Sequence, residues 1–573
     1  MLNKQVADIF NEIAKILELK GDNVFRIRAY GRAALNIESL DEDLKKIVDE
    51  DRLDKIPGVG KDLAEKIREI AKTGKLKSLD ELKRTVPYGL IEMLDIPGIG
   101  PKKIKLFYDK LKIKNIGELQ EKAKTKQLLK LEGIKEKTIY NILKGIEIFK
   151  KGKERMPLAT AIKIANEFIE ELKKIPYIKK IMPAGSLRRC KESIRDIDIL
   201  VISKKPHEVM DAFTKLPQVT RIIAKGQTKS SVLTSDNTQV DLRVLEESSY
   251  GAALIYFTGS KEFNIKLRQL AIKKNFKINE YGIFSAKGKN NKRIAGKTEE
   301  ELFKTLGLKY IEPELREDRG EIEAAQKNKL PKLIELKDII GDFHVHSKWS
   351  DGKSTIQEMA ETAQKLGLKY INSTDHSKSL KIARGLSIAD LKKKRKEIDK
   401  LNKKNKNFNI LFGTEVDIDS NGKIDYPNEV LKQFDVVVAG IHTGFKQSRE
   451  RLTRRIVMAC QNKYVHIIAH PSGRLWGQRE AYDLDFEQIL KICSETNTAL
   501  EVSASPSRLD LNDINARMAK EKKVMLAIGS DSHIYEQLTS LKFGIMVARR
   551  AWLEKKDVLN TLEVNELLRR IKK

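Results

Sequence analysis

At 573 residues the chain is too long for one ordinary core, so three or four compact units are expected and a single-domain protein is not. Its 111 Lys+Arg against 81 Asp+Glu give a formal charge of +30, which points to a polyanion such as nucleic acid as partner, a lysine-rich solvated surface being the alternative. No apolar run is long enough to span a bilayer and Asp8, Glu12 and Glu18 interrupt the N-terminal segment, so no membrane partner and no signal peptide are expected and the protein is read as cytoplasmic.

The three cysteines, Cys190, Cys460 and Cys493, form no C-x-x-C pair, so neither a disulfide framework nor a thiolate zinc site is expected. Seven of the eight histidines lie from His344 onward, which suggests that two chemistries share one chain.

From residue 1 to about 150 the pattern is amphipathic helices broken by glycine hairpins, Ile56-Pro57-Gly58-Val59-Gly60 and Ile96-Pro97-Gly98-Ile99-Gly100, each leading into a helix. A third, degenerate copy begins at Leu131-Glu132-Gly133-Ile134. Such a turn presents backbone N–H groups at a helix start, and glycine lets a phosphate approach closely. Gly58, Gly60 and Lys61 in residues 1–85, and Gly98, Gly100 and Lys102 in residues 86–150, are therefore candidates for gripping a DNA backbone without regard to sequence.

Residues 151–255 alternate helices with β-rich runs, notably 195–201 and 238–244. Side chains two apart on a strand face the same side, so Asp196 and Asp198 project together, and Asp241 on another strand completes a carboxylate triad. Three clustered carboxylates repel one another unless a cation neutralises them, and Mg²⁺ with oxygen ligands suits two-metal phosphoryl or nucleotidyl transfer. Just upstream, Gly185-Ser186-Leu187-Arg188-Arg189 offers a turn, a hydroxyl and a guanidinium for a triphosphate.

With these motifs, residues 1 to 318 resemble the family X DNA polymerases, the relatives of DNA polymerase beta. The resemblance implies that Asp196, Asp198 and Asp241 hold two Mg²⁺ ions and that Arg155, Gly185, Ser186 and Arg189 bind the triphosphate. In residues 256–318, a thumb-like subdomain, it implies that Tyr256, Phe257, Gly259, Asn264 and Arg268 pack on and check the incoming nucleotide. It also makes Lys66, in Ala64-Glu65-Lys66, the Schiff-base lysine of an abasic-site lyase, which requires a lowered pKa. The sequence departs from the family at Asp62, Phe25, Gln239 and Lys261, where a lysine, an imidazole, an arginine and an acidic residue are usual.

Residues 319–337 read as a charged linker, and a last domain spans 338–573. Here seven short apolar runs are each followed by a helix-length segment, and six of them end on a potential ligand: His344/His346, His376, Glu415, His442, His470 and Asp531/His533; the seventh contains Glu501. Ligands at the C-terminal ends of parallel strands converge on one face of a barrel. With Asp351, nine imidazole and carboxylate donors without a thiolate suit two or three Zn²⁺, Mn²⁺ or Fe²⁺ ions.

This half resembles the polymerase and histidinol phosphatase (PHP) family, which implies a distorted (β/α)7 barrel, a trinuclear centre of Mn²⁺ or Zn²⁺ held by those nine residues, and phosphoester hydrolysis. His466 lies outside the motif and is read as structural, while Arg384 and Arg474, in loops after ligand strands, are candidates for gripping phosphate. The whole is a multidomain chain: an α-helical helix-hairpin-helix region, an α+β palm and thumb, and the barrel. The expectation is a monomeric gap-filling repair polymerase acting on primer-template DNA and dNTPs, with a 3′-to-5′ exonuclease. A DNA-binding scaffold with a silent palm, and a phosphatase for a small substrate, are the alternatives.

Overall fold

The computed structural model of the protein describes residues 2–572 except Ser39, Asp41, Asp95, Pro97, Gly98 and 287–291. It divides into two compact units, one of Met1–Glu154 with Gly477–Glu480, the other of Arg155–Trp476 with Ala481–Lys573.

The first unit is helical, and one apolar core running from Val6 to Ile146 joins the two subdomains expected from sequence. Helix Lys61–Thr73 begins on Gly60, buries Leu63, Ala64, Ile67 and Ile70 along one face, and ends on Gly74 in the left-handed region at φ 71°. Helix Pro101–Leu111 begins on Gly100 with proline in its first turn, where a missing N–H costs nothing. The three hairpins share one bond: Val59 N donates to Ile56 O at 3.0 Å, Ile99 N to Ile96 O at 3.2 Å, and Ile134 N to Leu131 O at 3.2 Å. Gly58 at φ 80° and Gly133 at φ 77° adopt backbone that side chains resist, so the third copy has hairpin geometry despite lacking its second glycine. Gly98 lies outside the described residues.

In the second unit a five-stranded sheet carries the palm. Strand Asp196–Ser203 lies between Ile178–Pro183, to which it is antiparallel, and the central strand Gln239–Leu245, to which it is parallel. Val240, Leu242 and Val244 point into a core with Phe168 and Phe213 of the covering helices, each such side chain contributing about 1.5–3 kcal/mol. The alternate residues, Asp241 among them, face the other way. Helix Tyr250–Thr258 runs across the boundary expected at 255/256, so the palm passes into the thumb without a break.

Residues 319–337 are not a solvated tether. Arg316 and Glu321 are fully buried, and Glu321 accepts the N–H groups of Asp318 at 2.8 Å and Arg319 at 2.7 Å. Arg319 pairs with Asp513 at 2.8 Å, and Ile334 N donates to Leu553 O at 3.0 Å. Arg319 and Glu321, two of the charges that suggested a linker, are thus satisfied by partners in the fold, while its lysines stay largely exposed.

The last domain is a parallel seven-stranded sheet with strands in chain order, from Gly341–Val345 to Leu526–Gly529. A parallel bridge from Val345 to Ser532, with His346 N donating to Ser532 O at 2.8 Å, brings the first strand against the end of the last. Phe343, Tyr370, Val436, Val438, Ile467 and Ala527 pack with Leu567 and Ile571 of the C-terminal segment in a core of their own. One apolar cluster runs continuously from Leu158, Phe168 and Val240 of the palm to Ile356, Phe412 and Ile528 of the barrel. Arg474 with Glu192 at 2.9 Å and Arg550 Nη1 with Arg189 O at 2.6 Å add polar ties between them.

Candidate polymerase and metal sites

Parallel pairing places Asp198 directly opposite Asp241, with Asp196 two residues along the same face. Burial, then the charges of Asp196 and Asp241, push Asp198 up to about 7. Asp241 is held below the usual carboxylate range: burial opposes this, but hydrogen bonds from Gln239 and Ser231 and the Lys229 ammonium at 3.1 Å prevail. Gln239, where the family usually has arginine, thus donates to Asp241 at 2.8 Å. Mutually repelling carboxylates on one sheet face fit a divalent cation.

Gly185, at φ 59°, lets the turn reach these acids: a Cβ there would lie 2.3 Å from Asp198 Oδ2. The neighbouring arginines are already engaged. Arg188 forks onto Glu299 and Thr258, and Arg189 donates to Glu317 at 2.9 Å and to Thr258 O. Arg155 donates to Ser193 Oγ at 2.8 Å. The triphosphate candidates Arg155 and Arg189 are therefore held by protein partners that a ligand would have to replace. Ser186 lies in the short Gly185–Arg188 helix beside the triad.

Tyr256 and Phe257 meet edge to face at 5.0 Å, and the Arg243 guanidinium stands 4.3 Å over the Phe257 ring. Asn264 donates to Tyr256 O at 2.7 Å, and Arg268 to Asn264 O at 3.2 Å. Gly259 follows that helix at φ 69°. The five expected nucleotide-checking residues thus lie together.

Lys66 does not have the expected character. Its ammonium contacts Asp62 and lies 6.0 Å from the Tyr30 ring centroid; burial lowers its pKa, but Asp62 and Tyr30 outweigh burial and raise it. A protonated amine is not a nucleophile. Asp62, one of the departures from the family pattern, is the cause.

In the barrel all nine expected ligands converge. Three overlapping sets, His346/Asp351/His376/His533, His344/His346/Asp531 and His376/Glu415/His442, each bring their donor atoms within 4.8 Å of one another. Glu415 sits centrally, with Oε2 3.3 Å from His344 Nε2 and 3.1 Å from His376 Nδ1, and Oε1 3.1 Å from His442 and 3.0 Å from His470. His344 Nε2, both nitrogens of His346 and His376 Nδ1 are buried without a hydrogen-bond partner. Orphaned buried nitrogens facing carboxylates are costly unless cations complete them, so the donor set fits a multinuclear metal centre.

Without a cation the donors divide into neutral imidazoles, anionic carboxylates and imidazoles that the carboxylates favour as cations, which a metal would have to deprotonate on binding. Burial pushes His376 down to about 3 and His470 to about 4, leaving neutral imidazoles. Against burial, surrounding histidines hold Glu415 and Asp531 well below the carboxylate range, and His533 does the same for Asp351. Against burial, carboxylates raise His442 and His533 to about 9.

Several supporting residues were not assigned from sequence. Glu501 accepts from His470 N at 2.6 Å and lies 2.7 Å from His344 Nδ1; Gly529 makes room, since a Cβ there would lie 2.2 Å from Glu501 Oε1. Asp417 lies 3.0 Å from His442 Nδ1. Buried Asp375, paired with Lys394 at 2.8 Å, accepts from Ser347 N at 2.8 Å and Ser350 N at 3.2 Å, fixing the loop that carries Asp351. Each had a legible signal that was not read as a role: Asp417 stands two residues after Glu415 on one strand, Glu501 lies in the seventh apolar run, and Asp375 directly precedes His376.

Arg474 is not free for phosphate: it donates to Arg508 O at 2.8 Å and pairs with Glu192. The cation at the ring is instead Arg508, 3.2 Å from Asp531, with Nη1 buried and unpartnered. Arg384 is exposed, and His466 accepts from Val437 N at 3.0 Å as a strand-pairing residue.

Four family models match the chain: a helix-hairpin-helix domain at residues 1–76, a SAM-like helix-hairpin-helix tandem at 90–147, a DNA polymerase beta thumb at 253–317 and a PHP domain at 342–505. The DNA polymerase/3′-5′ exonuclease PolX of Bacillus subtilis is 39% identical over 569 residues, 99% of each chain. A "Probable phosphatase" of Thermoanaerobacter sp. is 33% identical over 39% of this chain and 91% of its own. DNA polymerase lambda of Rattus norvegicus is 26% identical over 55% of this chain and 56% of its own.

Proposed function

The chain belongs to the family X DNA polymerases that carry a C-terminal PHP domain, and from that premise we propose that it fills short gaps during DNA repair at the palm and trims 3′ ends in the barrel. The observation that carries this reading is the presence, in one chain, of a repelling carboxylate triad on one sheet face and a nine-donor ring around unpartnered imidazole nitrogens.

We assign Mg²⁺ to Asp196, Asp198 and Asp241, and two or three Mn²⁺ or Zn²⁺ ions to the nine barrel donors, on the chemistry of those donors. When bound, such cations supply Lewis-acid stabilisation of charge developing on phosphoryl oxygens. The protein's own groups do the rest. At the palm, Arg189 and Arg155 exchange their protein partners for the triphosphate, Ser186 adds a hydroxyl, and Tyr256 and Phe257 offer apolar surface to the incoming nucleotide. In the barrel, Glu501 and Asp417 orient His344 and His442, and Arg508, beside Asp531, keeps an unpartnered N–H that a phosphate oxygen would satisfy. Gly58, Gly60, Lys61, Gly100 and Lys102 hold the duplex backbone from the helical unit. We read the protein as a cytoplasmic monomer; no described helix is long and apolar enough to cross a membrane.

The test is a labelled primer on a one-nucleotide-gap duplex with Mg²⁺ or Mn²⁺, with and without dNTPs. Asp198→Ala is expected to abolish extension only, and His344→Ala with His346→Ala to abolish shortening only. A wild type that never extends would leave the palm a silent scaffold.

A further inference from the structure

Ile382 is 93% exposed, the most exposed large apolar side chain among the described residues. It sits at the tip of the loop that follows ligand His376. That loop is closed on itself: Leu386 N returns to donate to His376 O at 2.9 Å, and Gly385 N donates to Leu380 O at 3.2 Å. Ser379 N donates to Asp425 at 2.8 Å, and a Cβ on Gly385 would lie 1.8 Å from Ser377 O, so the two legs are in tight contact. The tip is thereby held in a fixed place relative to the metal ligand. Lys378, Lys381 and Arg384 flank it, all exposed, and none makes an ion pair among the described residues.

An isoleucine held out in water by a rigid, cationic loop suits a partner that offers an apolar face beside anionic groups. The end of a DNA duplex does: the outer face of its last base pair is apolar and its rim is phosphate. His344 and His346 have no exposed surface, so the deepest donors of the ring lie below the protein surface, where a single strand reaches more readily than a paired end.

We propose that the 377–386 loop is a terminal wedge, in which Ile382 packs on the last base pair, Lys378, Lys381 and Arg384 hold the flanking phosphates, and the frayed 3′ strand is delivered to the ring. This rests on the barrel acting as a 3′-to-5′ exonuclease on DNA.

The experiment compares Ile382→Ala and Ile382→Phe with wild type on a single strand, a blunt duplex and a duplex with a 3′-terminal mismatch, in Mn²⁺. Ile382→Ala is expected to slow the blunt duplex about tenfold, the mismatched end less, and the single strand less than about twofold, while Ile382→Phe keeps duplex activity. A 2-aminopurine at the 3′ terminus should brighten on binding to the His344→Ala/His346→Ala protein and lose that signal when Ile382→Ala is added. No change on any substrate, or an equal loss on all three, overturns the wedge. A wild type that shortens none of them overturns the exonuclease reading as well.

Discussion

His344 Nδ1 lies 2.7 Å from Glu501 Oε1, while the other ring nitrogen of His344, Nε2, faces Glu415 at 3.3 Å. A buried carboxylate thus fixes which nitrogen of the first barrel ligand is turned toward the donors. Glu501→Gln keeps the shape but removes the charge. Exonuclease rate and metal affinity should each fall about 10- to 100-fold, with primer extension unaffected. Metal titration by calorimetry beside both assays would check this; intact metal affinity would contradict it.

At the palm, Asp198→Asn removes one of three neighbouring acids without changing volume. Extension should drop by at least about 10²-fold while 3′ trimming persists. Single-turnover extension and trimming of one labelled primer measures both.

Glu299 binds Arg188 and fully buried Arg316, each at 2.6 Å, joining the thumb to the Gly185–Arg188 turn. Burial raises its pKa, but the two guanidinium groups outweigh burial and bring it down to about 2. A depressed carboxyl stabilises the fold above its unfolded value near 4.5 and loses that contribution as pH falls through about 2. Glu299→Gln should therefore destabilise the protein by about 3 kcal/mol at pH 7, because it strands a buried arginine, and the deficit should shrink below about pH 4.5. Urea unfolding across that range would measure it.

Lys66 is paired with Asp62 and kept protonated, so borohydride trapping on a 5′-incised abasic site should be weak. Asp62→Asn should raise the trapped yield several-fold, and Lys66→Ala should remove it. Strong trapping by the wild type would show that DNA itself displaces Asp62.

The architecture was legible wherever periodicity and ligand chemistry coincide. Alternation along 196–203 and 239–245 placed the three aspartates, and strand-end histidines placed the ring. What was not legible depends on partners distant in sequence. The Arg316-to-Lys337 stretch looks solvated until Asp513 and Glu299 are known to meet its arginines. Arg474 and Arg508 are alike as letters, and only the fold decides that one braces a loop while the other faces Asp531. Lys66 matched a motif, but only the fold shows that its ammonium contacts Asp62 and that Asp62 and Tyr30 raise its pKa against burial.

The continuous core beneath palm and barrel, closed by Arg474 with Glu192, has a consequence for traffic. Synthesis and trimming are carried out at two stations bolted to one chassis, so neither can swing to meet a primer parked at the other. A primer end held at one station therefore reaches the other by movement of the DNA, not by a hinge between the two.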